Sequence, residues 1–214
     1  MASPRPKPKR AYEGRRGPSA VLLAAGASSR FPDTKQLARI GEMTLVERAL
    51  EAIPAEGVRE TVVVLGHAAA EVGRVVGERA GVAVVTNPGF RSGMGSSIRT
   101  GVSALAEDTE GAMLLLADQP FVNRRLLARM LRAFESRGAK GIVAAAQGDL
   151  VSPPAIFSRR YFGELADLRG DQGARSVIVR HPREVTLVRV RSRRTLSDVD
   201  TPSDLEAARR LLEP

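Results

Sequence analysis

The stretch SAVLLAAGASSRFPDTKQL, residues 19–37, decides the fold. It opens as a short, uncharged run of small and branched apolar residues, the composition of a strand covered on both faces. The strand is expected to end at Leu23, and Ala24, Ala25, Gly26, Ala27, Ser28 and Ser29 follow it. Residues this small let the backbone approach a ligand and turn N–H groups toward an anion. Arg30 and Lys35 come next, five positions apart. A guanidinium and an ammonium on such a loop can hold triphosphate oxygens and neutralise the charge that builds on a leaving pyrophosphate. Two commoner phosphate loops are excluded by spacing. Lys35 lies nine residues after Gly26 and precedes Gln36 rather than Ser or Thr, so this is no P-loop, and it contains no GxGxxG fingerprint.

Outward from that loop, short β-rich runs alternate with longer amphipathic ones. ETVVVLG, VAVVTNP, AMLLLADQP and GIVAAAQ read as strands, with TLVERALEAI, AAAEVGRVVGERA, SSIRTGVSALAE and NRRLLARMLRAFESRG as the helices between them. A helical RRYFGELADL, a short GARSVIVR, a strand EVTLVRVR and a last helix PSDLEAARRLLE complete the order. This alternation predicts an α/β, three-layer α/β/α fold on a mostly parallel sheet. Residues 18–214 contain no linker or repeat and are expected to form a single domain. In open sheets of this type ligands sit beyond the carboxyl ends of the strands, so the turns after the strands are where chemistry is sought.

Composition narrows the function. The chain has 214 residues and a net charge of +9, but residues 1–17 carry six Lys or Arg against one Glu, which leaves about +4 on the rest. That surplus suits small anionic substrates, and with aromatics at 4% and no tryptophan no nucleic-acid partner is expected. The proline-rich basic segment 1–17 is expected to be a disordered tail. No cysteine is present, so disulfides, thiolate metal sites and a cysteine nucleophile are excluded. No apolar run reaches the roughly eighteen residues of a membrane span, and no secretory signal follows the N-terminal charges, so a cytoplasmic location without a membrane partner is expected.

Two further turns carry chemistry. After VAVVT come Asn87, Pro88, Gly89, Phe90, Arg91, Ser92, Gly93, Met94 and Gly95, then Ser96 and Ser97 opening a helix. Serine there is also an ordinary N-cap, but three glycines ahead of a helix N-terminus expose backbone groups suited to a base edge or an anion. The apolar run 112–117 delivers Asp118 to the carboxyl end of a strand, followed by Gln119 and Pro120. A carboxylate so placed suits Mg²⁺, which takes oxygen ligands while bridging phosphates. Near the C-terminus Thr201, Pro202 and Asp204 are explained as a helix start. Asp198 and Asp200 are not, and alternation along an extended segment predicts that only one of them faces the site.

LAAGASSRFPDTKQL resembles the signature loop of the nucleotidyltransferases with a Rossmann-like sheet, the nucleotide-diphospho-sugar transferase type of fold, and within them the branch containing molybdenum cofactor cytidylyltransferase. The similarity runs from about Ala20 to about Leu212; it departs at Phe31 and Pro32, where that branch usually has Met and Gly. It implies that the loop from Ala24 to Lys35, with Ala25 and Gly26, wraps the donor triphosphate and that Arg30 and Lys35 act on its oxygens. It further implies that Gly93 and Ser97 lie against the base, that Asp118 is a metal ligand, and that Asp200 rather than Asp198 is the second. Pro154, Asp171 and Arg175 are implied to border the acceptor, although Asp171 reads equally as a plain N-cap.

The resemblance implies a Mg²⁺-dependent transfer of CMP from CTP to molybdopterin carrying molybdenum, with pyrophosphate released and a molybdoenzyme as recipient of the product. Ala25, where guanylyl-transferring relatives tend to have Gly, points to CTP. Three alternatives stay open: guanylyl transfer to the same cofactor, cytidylyl transfer to another phosphorylated small molecule, and a non-enzymatic accessory protein that binds nucleotide or cofactor.

Overall fold

The computed structural model describes residues 16–27, 31 and 33–213. Residues 1–15 of the expected tail lie outside the described residues, as does Arg30. In chain order the elements are β1 (Ser19–Ala24), a minimal hairpin of β2 (Arg39–Ile40) and β3 (Met43–Thr44), α1 (Leu45–Ala52), β4 (Thr61–Leu65), α2 (Ala69–Val76) and β5 (Val82–Thr86). Then come α3 (Met94–Ser103), β6 (Gly111–Leu116), α4 (Arg124–Ser136), β7 (Ile142–Gln147), β8 (Leu150–Ser158), α5 (Phe162–Ala166), α6 (Arg175–Arg180), β9 (Val185–Arg189) and α7 (Pro202–Leu212).

Seven strands form one sheet in the order β5-β4-β1-β6-β8-β7-β9. Side chains alternate across it, as the two-residue strand period requires. Ala20, Leu22 and Ala24 of β1 pack with α1, α2 and α4, whereas Val21 faces the layer of α3, α5 and α6. The result is the three-layer α/β/α fold that the alternation predicted. Leu22, Met113 and Leu114 are completely buried or nearly so, and each such side chain contributes roughly 1.5–3 kcal/mol by leaving water. Helix starts follow their local sequence. Thr44 and Glu47 form a reciprocal capping box on α1, and Thr201 and Asp204 form another on α7 with Pro202 in its first turn.

β1 lies between β4 and β6, parallel to both. The chain builds outward from β1 through β4 to β5 and then returns to β6 on the other side. The connections leaving β1 and β6 therefore diverge, and a crevice opens at their carboxyl ends. The segment Leu150–Ser158, which holds Pro154, is not among the runs expected above to be strands. It is β8, antiparallel to β6 and β7. Its register jumps from Ala144–Ala155 to Ala145–Ser152, leaving Pro153 and Pro154, joined by a cis peptide bond, in the bulge. Proline cannot donate to a sheet ladder, so a strand that carries two of them outside its pairing reads locally as a loop.

Candidate active site

The crevice is built from three segments that the sheet brings together. After β1, Gln36 is buried and its Nε2 donates to the Gly26 carbonyl at 2.9 Å, which ties the start of the loop to its end. The following 3-10 turn, Lys35–Leu37, points Lys35 inward, where it is only 7% exposed. Its Nζ donates to Asp118 Oδ2 at 2.7 Å and to Asp200 Oδ1 at 3.1 Å. Asp118 follows β6 on a backbone held by Ala117 N–H donating to Leu23 O at 3.1 Å. Asp200 is carried by a strap whose Val199 N–H donates to Asp118 O at 2.8 Å. The N–H groups of Asp200 and Thr201 both donate to Asp204 Oδ2. Asp204 thus serves two purposes, capping α7 and holding the backbone at Asp200.

Electrostatics bind these groups to one another. Burial alone would lower the Lys35 pKa, but the Asp118 charge and the hydrogen bonds to Asp118 and Asp200 outweigh it and hold the ammonium above its ordinary value. Lys35 therefore stays charged at any working pH. Asp198 accepts from Gln119 Nε2 at 2.9 Å. Desolvation, followed by the charges of Asp118 and Asp200, raises the Asp198 carboxyl above the usual range, even though its rim remains exposed. Of the two alternating carboxylates, Asp200 reaches Lys35, yet both line the crevice. The strap is bent by its bonds to Asp118 and Asp204, so strict strand alternation does not apply.

The donor set fits a hard divalent cation. Asp118 Oδ1 is buried with no hydrogen-bond partner among the described residues, and such an orphaned carboxylate oxygen is costly unless a cation or donor takes it up. Among the described residues no group of three or more His, Asp or Glu side chains converges on one point. Asp118 and Asp200 form a two-carboxylate site, the number Mg²⁺ commonly takes from protein when phosphates and water complete its shell.

The second glycine segment closes the other wall. Asn87, 4% exposed directly after β5, donates through Nδ2 to Ser96 Oγ at 2.8 Å and Ser97 Oγ at 3.1 Å. These bonds fix the first turn of α3. Gly93 has φ +98°, and a Cβ there would lie 2.2 Å from the Gly170 carbonyl. Gly95 N–H donates to Gly170 O at 3.0 Å. Glycine is needed at 93 for both backbone angle and closeness, because the turn bearing Asp171 rests on it.

The crevice has a volume of about 650 Å³ and is lined by Ala25, Gly26, Lys35, Gly93, Ser97, Asp118, Asp171, Asp198 and Asp200, among others. Sequence-predicted residues are not all there. Ala24 is 1% exposed inside β1, beneath the lining. Pro154 is buried in the β8 bulge, and Arg175 is exposed at the start of α6, away from the crevice. Of Pro154, Asp171 and Arg175, only Asp171 lines the crevice, where it stands beside Gly93. Gln36, Asn87 and Gln119 were missed as site-builders. Asn87 directly follows β5, and Gln36 and Gln119 directly follow the candidate residues Lys35 and Asp118, which is the signal that could have found them. A second cavity of about 830 Å³ shares Asp198 and Asp200 with the first and continues toward the β7–β8 turn and Arg193.

A mostly parallel sheet whose switch point presents small-residue loops, a buried lysine and paired carboxylates defines a nucleotidyltransferase with a Rossmann-like sheet. Residues 20–185 match the family described as the MobA-like NTP transferase domain, and the chain belongs to that family. It is 34% identical over 193 residues to nicotine blue oxidoreductase from Paenarthrobacter nicotinovorans, covering 85% of this chain and 91% of that protein. It is 38% identical over 119 residues to the bifunctional IPC transferase and DIPP synthase of Rubrobacter xylanophilus. That match covers 53% of this chain and spans only 27% of the length of that relative. Among solved structures, Rv0371C from Mycobacterium tuberculosis H37Rv in complex with manganese superposes with a TM-score of 0.70 at 30% identity, covering 94% of this chain and all of that one. Among the described residues no helix is long and apolar enough to cross a membrane.

Proposed function

We propose that the protein is a Mg²⁺-dependent cytidylyltransferase that moves CMP from CTP to the phosphate of molybdopterin carrying molybdenum and releases pyrophosphate. The observation that carries this reading is the buried Lys35 set between Asp118 and Asp200, with Asp118 Oδ1 unpartnered among the described residues, at the mouth of a glycine-lined crevice. Two carboxylates and a cation at one point match what a triphosphate and its metal need. The family resemblance supplies the acceptor and, through Ala25, the preference for cytosine. The solved relative that carries manganese supports a divalent metal in this fold.

In this mechanism an acceptor phosphate oxygen attacks the α-phosphorus of CTP in line with the departing group. A new P–O–P link forms, the bond from Pα to the bridging oxygen breaks, and the electron pair leaves on pyrophosphate. No general base is needed, because a phosphate monoester is already anionic near neutral pH. Backbone N–H groups around Gly26, with Lys35 and Arg30, hold the triphosphate and offset charge moving to the leaving group. Ala25, Gly93 and Ser97 seat the nucleoside, and Asp118 and Asp200 hold Mg²⁺. When bound, the metal neutralises phosphate charge. Catalysis is then positioning plus electrostatics, without a covalent enzyme intermediate. The dinucleotide product would pass to a molybdoenzyme.

The test is to incubate the protein with CTP, Mg²⁺ and freshly prepared molybdenum-loaded molybdopterin and to follow product mass and pyrophosphate. A cytosine dinucleotide formed with one pyrophosphate per product is expected. Transfer from GTP in preference to CTP, or unchanged CTP alongside intact acceptor, overturns the assignment.

A further inference from the structure

The ammonium of Lys35 and a divalent ion need the same oxygen ligands. Lys35 is 7% exposed and donates to both carboxylates of the expected metal site, while Asp118 keeps one oxygen without a partner among the described residues. The Asp118 and Asp200 side chains keep 25% and 39% of their surface exposed, but two carboxylates that share one ammonium repel each other once it is withdrawn, so the pair favours a cation between them. Lysine suits a temporary one, being a compact charge on a flexible four-carbon stem. An ammonium and a divalent ion sharing one carboxylate pair repel each other, and a triphosphate relieves that repulsion by offering the ammonium new acceptors.

We propose that Lys35 is the resident counter-ion of Asp118 and Asp200 in the nucleotide-free protein and is handed to the triphosphate when nucleotide arrives, so that divalent metal binds weakly until then. The inference rests on the nucleotidyltransferase reading of the crevice and adds an order of events to it. Metal and nucleotide become coupled through one side chain, and each raises the affinity of the other by the same factor.

Mn²⁺ provides the probe, its free ion being measured by electron paramagnetic resonance. In the absence of nucleotide, Lys35→Met should bind Mn²⁺ about tenfold more tightly than the wild type, as removal of a cation in contact with the site implies. With CTP present the order should reverse, the variant binding the Mn²⁺–CTP complex less tightly. Equal or weaker Mn²⁺ binding by Lys35→Met without nucleotide overturns the proposal while leaving the donor assignment standing. Failure of the wild type to bind Mn²⁺ even with CTP overturns the donor assignment, and this inference with it. Should Lys35→Met not fold, acylation of wild-type amines read by mass spectrometry decides the matter. The chain has four lysines, so Lys7, Lys9 and Lys140 serve as internal references. Saturating Mn²⁺ should accelerate labelling of Lys35 alone, and an unchanged rate counts against displacement.

Discussion

The two flanks of the Asp118–Asp200 pair are built differently. On the side of β1, β4 and β5, the polar groups are buried and already bound to one another: Lys35 to both carboxylates, Gln36 to Gly26, Asn87 to Ser96 and Ser97. On the side of the β7–β8 turn, Gly148, Asp149 and Arg193 line the neighbouring cavity but stand exposed to solvent. The first flank is preorganised, with its rotamers fixed before any ligand is considered. The second is open. Under the proposed function, a preorganised flank fits a reaction in which holding a triphosphate supplies most of the catalysis.

The largest break in this contrast should come from Asp118→Asn, which keeps the shape and removes the charge. Turnover should fall by about three orders of magnitude, measured as pyrophosphate release, with the circular-dichroism spectrum retained; undiminished activity would refute the metal assignment. Gly93→Ala strikes the packing of the preorganised wall. Its Cβ meets the Gly170 carbonyl at 2.2 Å and its φ is positive, so a loss of roughly 2 kcal/mol or more in urea unfolding is expected. A wild-type midpoint in that variant would mean that the turn bearing Asp171 shifts freely.

Ala25→Gly should move the CTP-to-GTP ratio of kcat/KM toward GTP by about tenfold, the scale on which pocket shape discriminates. No change would remove Ala25 from base choice. Asp198→Asn has a smaller and pH-dependent consequence. An aspartate whose folded pKa is raised costs stability once both folded and unfolded states are ionised, and that cost fades as pH falls through the folded value toward the ordinary one. In EDTA the variant should therefore be slightly more stable than the wild type at neutral pH, the difference closing near pH 3. A less stable variant at neutral pH would show that the Gln119 bond outweighs desolvation. Arg175→Ala, exposed and outside the crevice, should leave kcat/KM within about twofold, whereas a tenfold rise in acceptor KM would restore the residue to the acceptor side.

The same contrast explains what could be read from the sequence. β1, β4 and β6 are uninterrupted apolar runs, and strand period plus burial determine where they end, so Asp118 could be placed at a carboxyl end without coordinates. Its contact with Lys35 could not be, because Lys35 sits in a separate 3-10 turn eleven residues beyond the end of β1. β8 could not be read, because Pro153 and Pro154 hide a strand that bulges around them. The different placements of Asp171 and Arg175 were hidden for a related reason. Asp171 and Arg175 are four positions apart, but the turn at Gly170 packs on Gly93 while α6 carries Arg175 outward, and that divergence depends on a contact between segments far apart in the chain. His181, just after α6, pairs with Glu164 of α5 at 2.7 Å, a contact that local sequence spacing does not announce.

The central claim is that this crevice binds a nucleoside triphosphate together with a divalent metal. It is tested most directly by thermal unfolding of the wild-type protein with CTP, GTP, UTP and ATP in turn, with and without Mg²⁺, because a ligand that binds only the folded state raises its apparent stability. The account predicts the largest rise with CTP and its loss when Mg²⁺ is withheld or Asp118 is replaced by Asn. No rise with any of the four nucleotides in the presence of Mg²⁺ would contradict it.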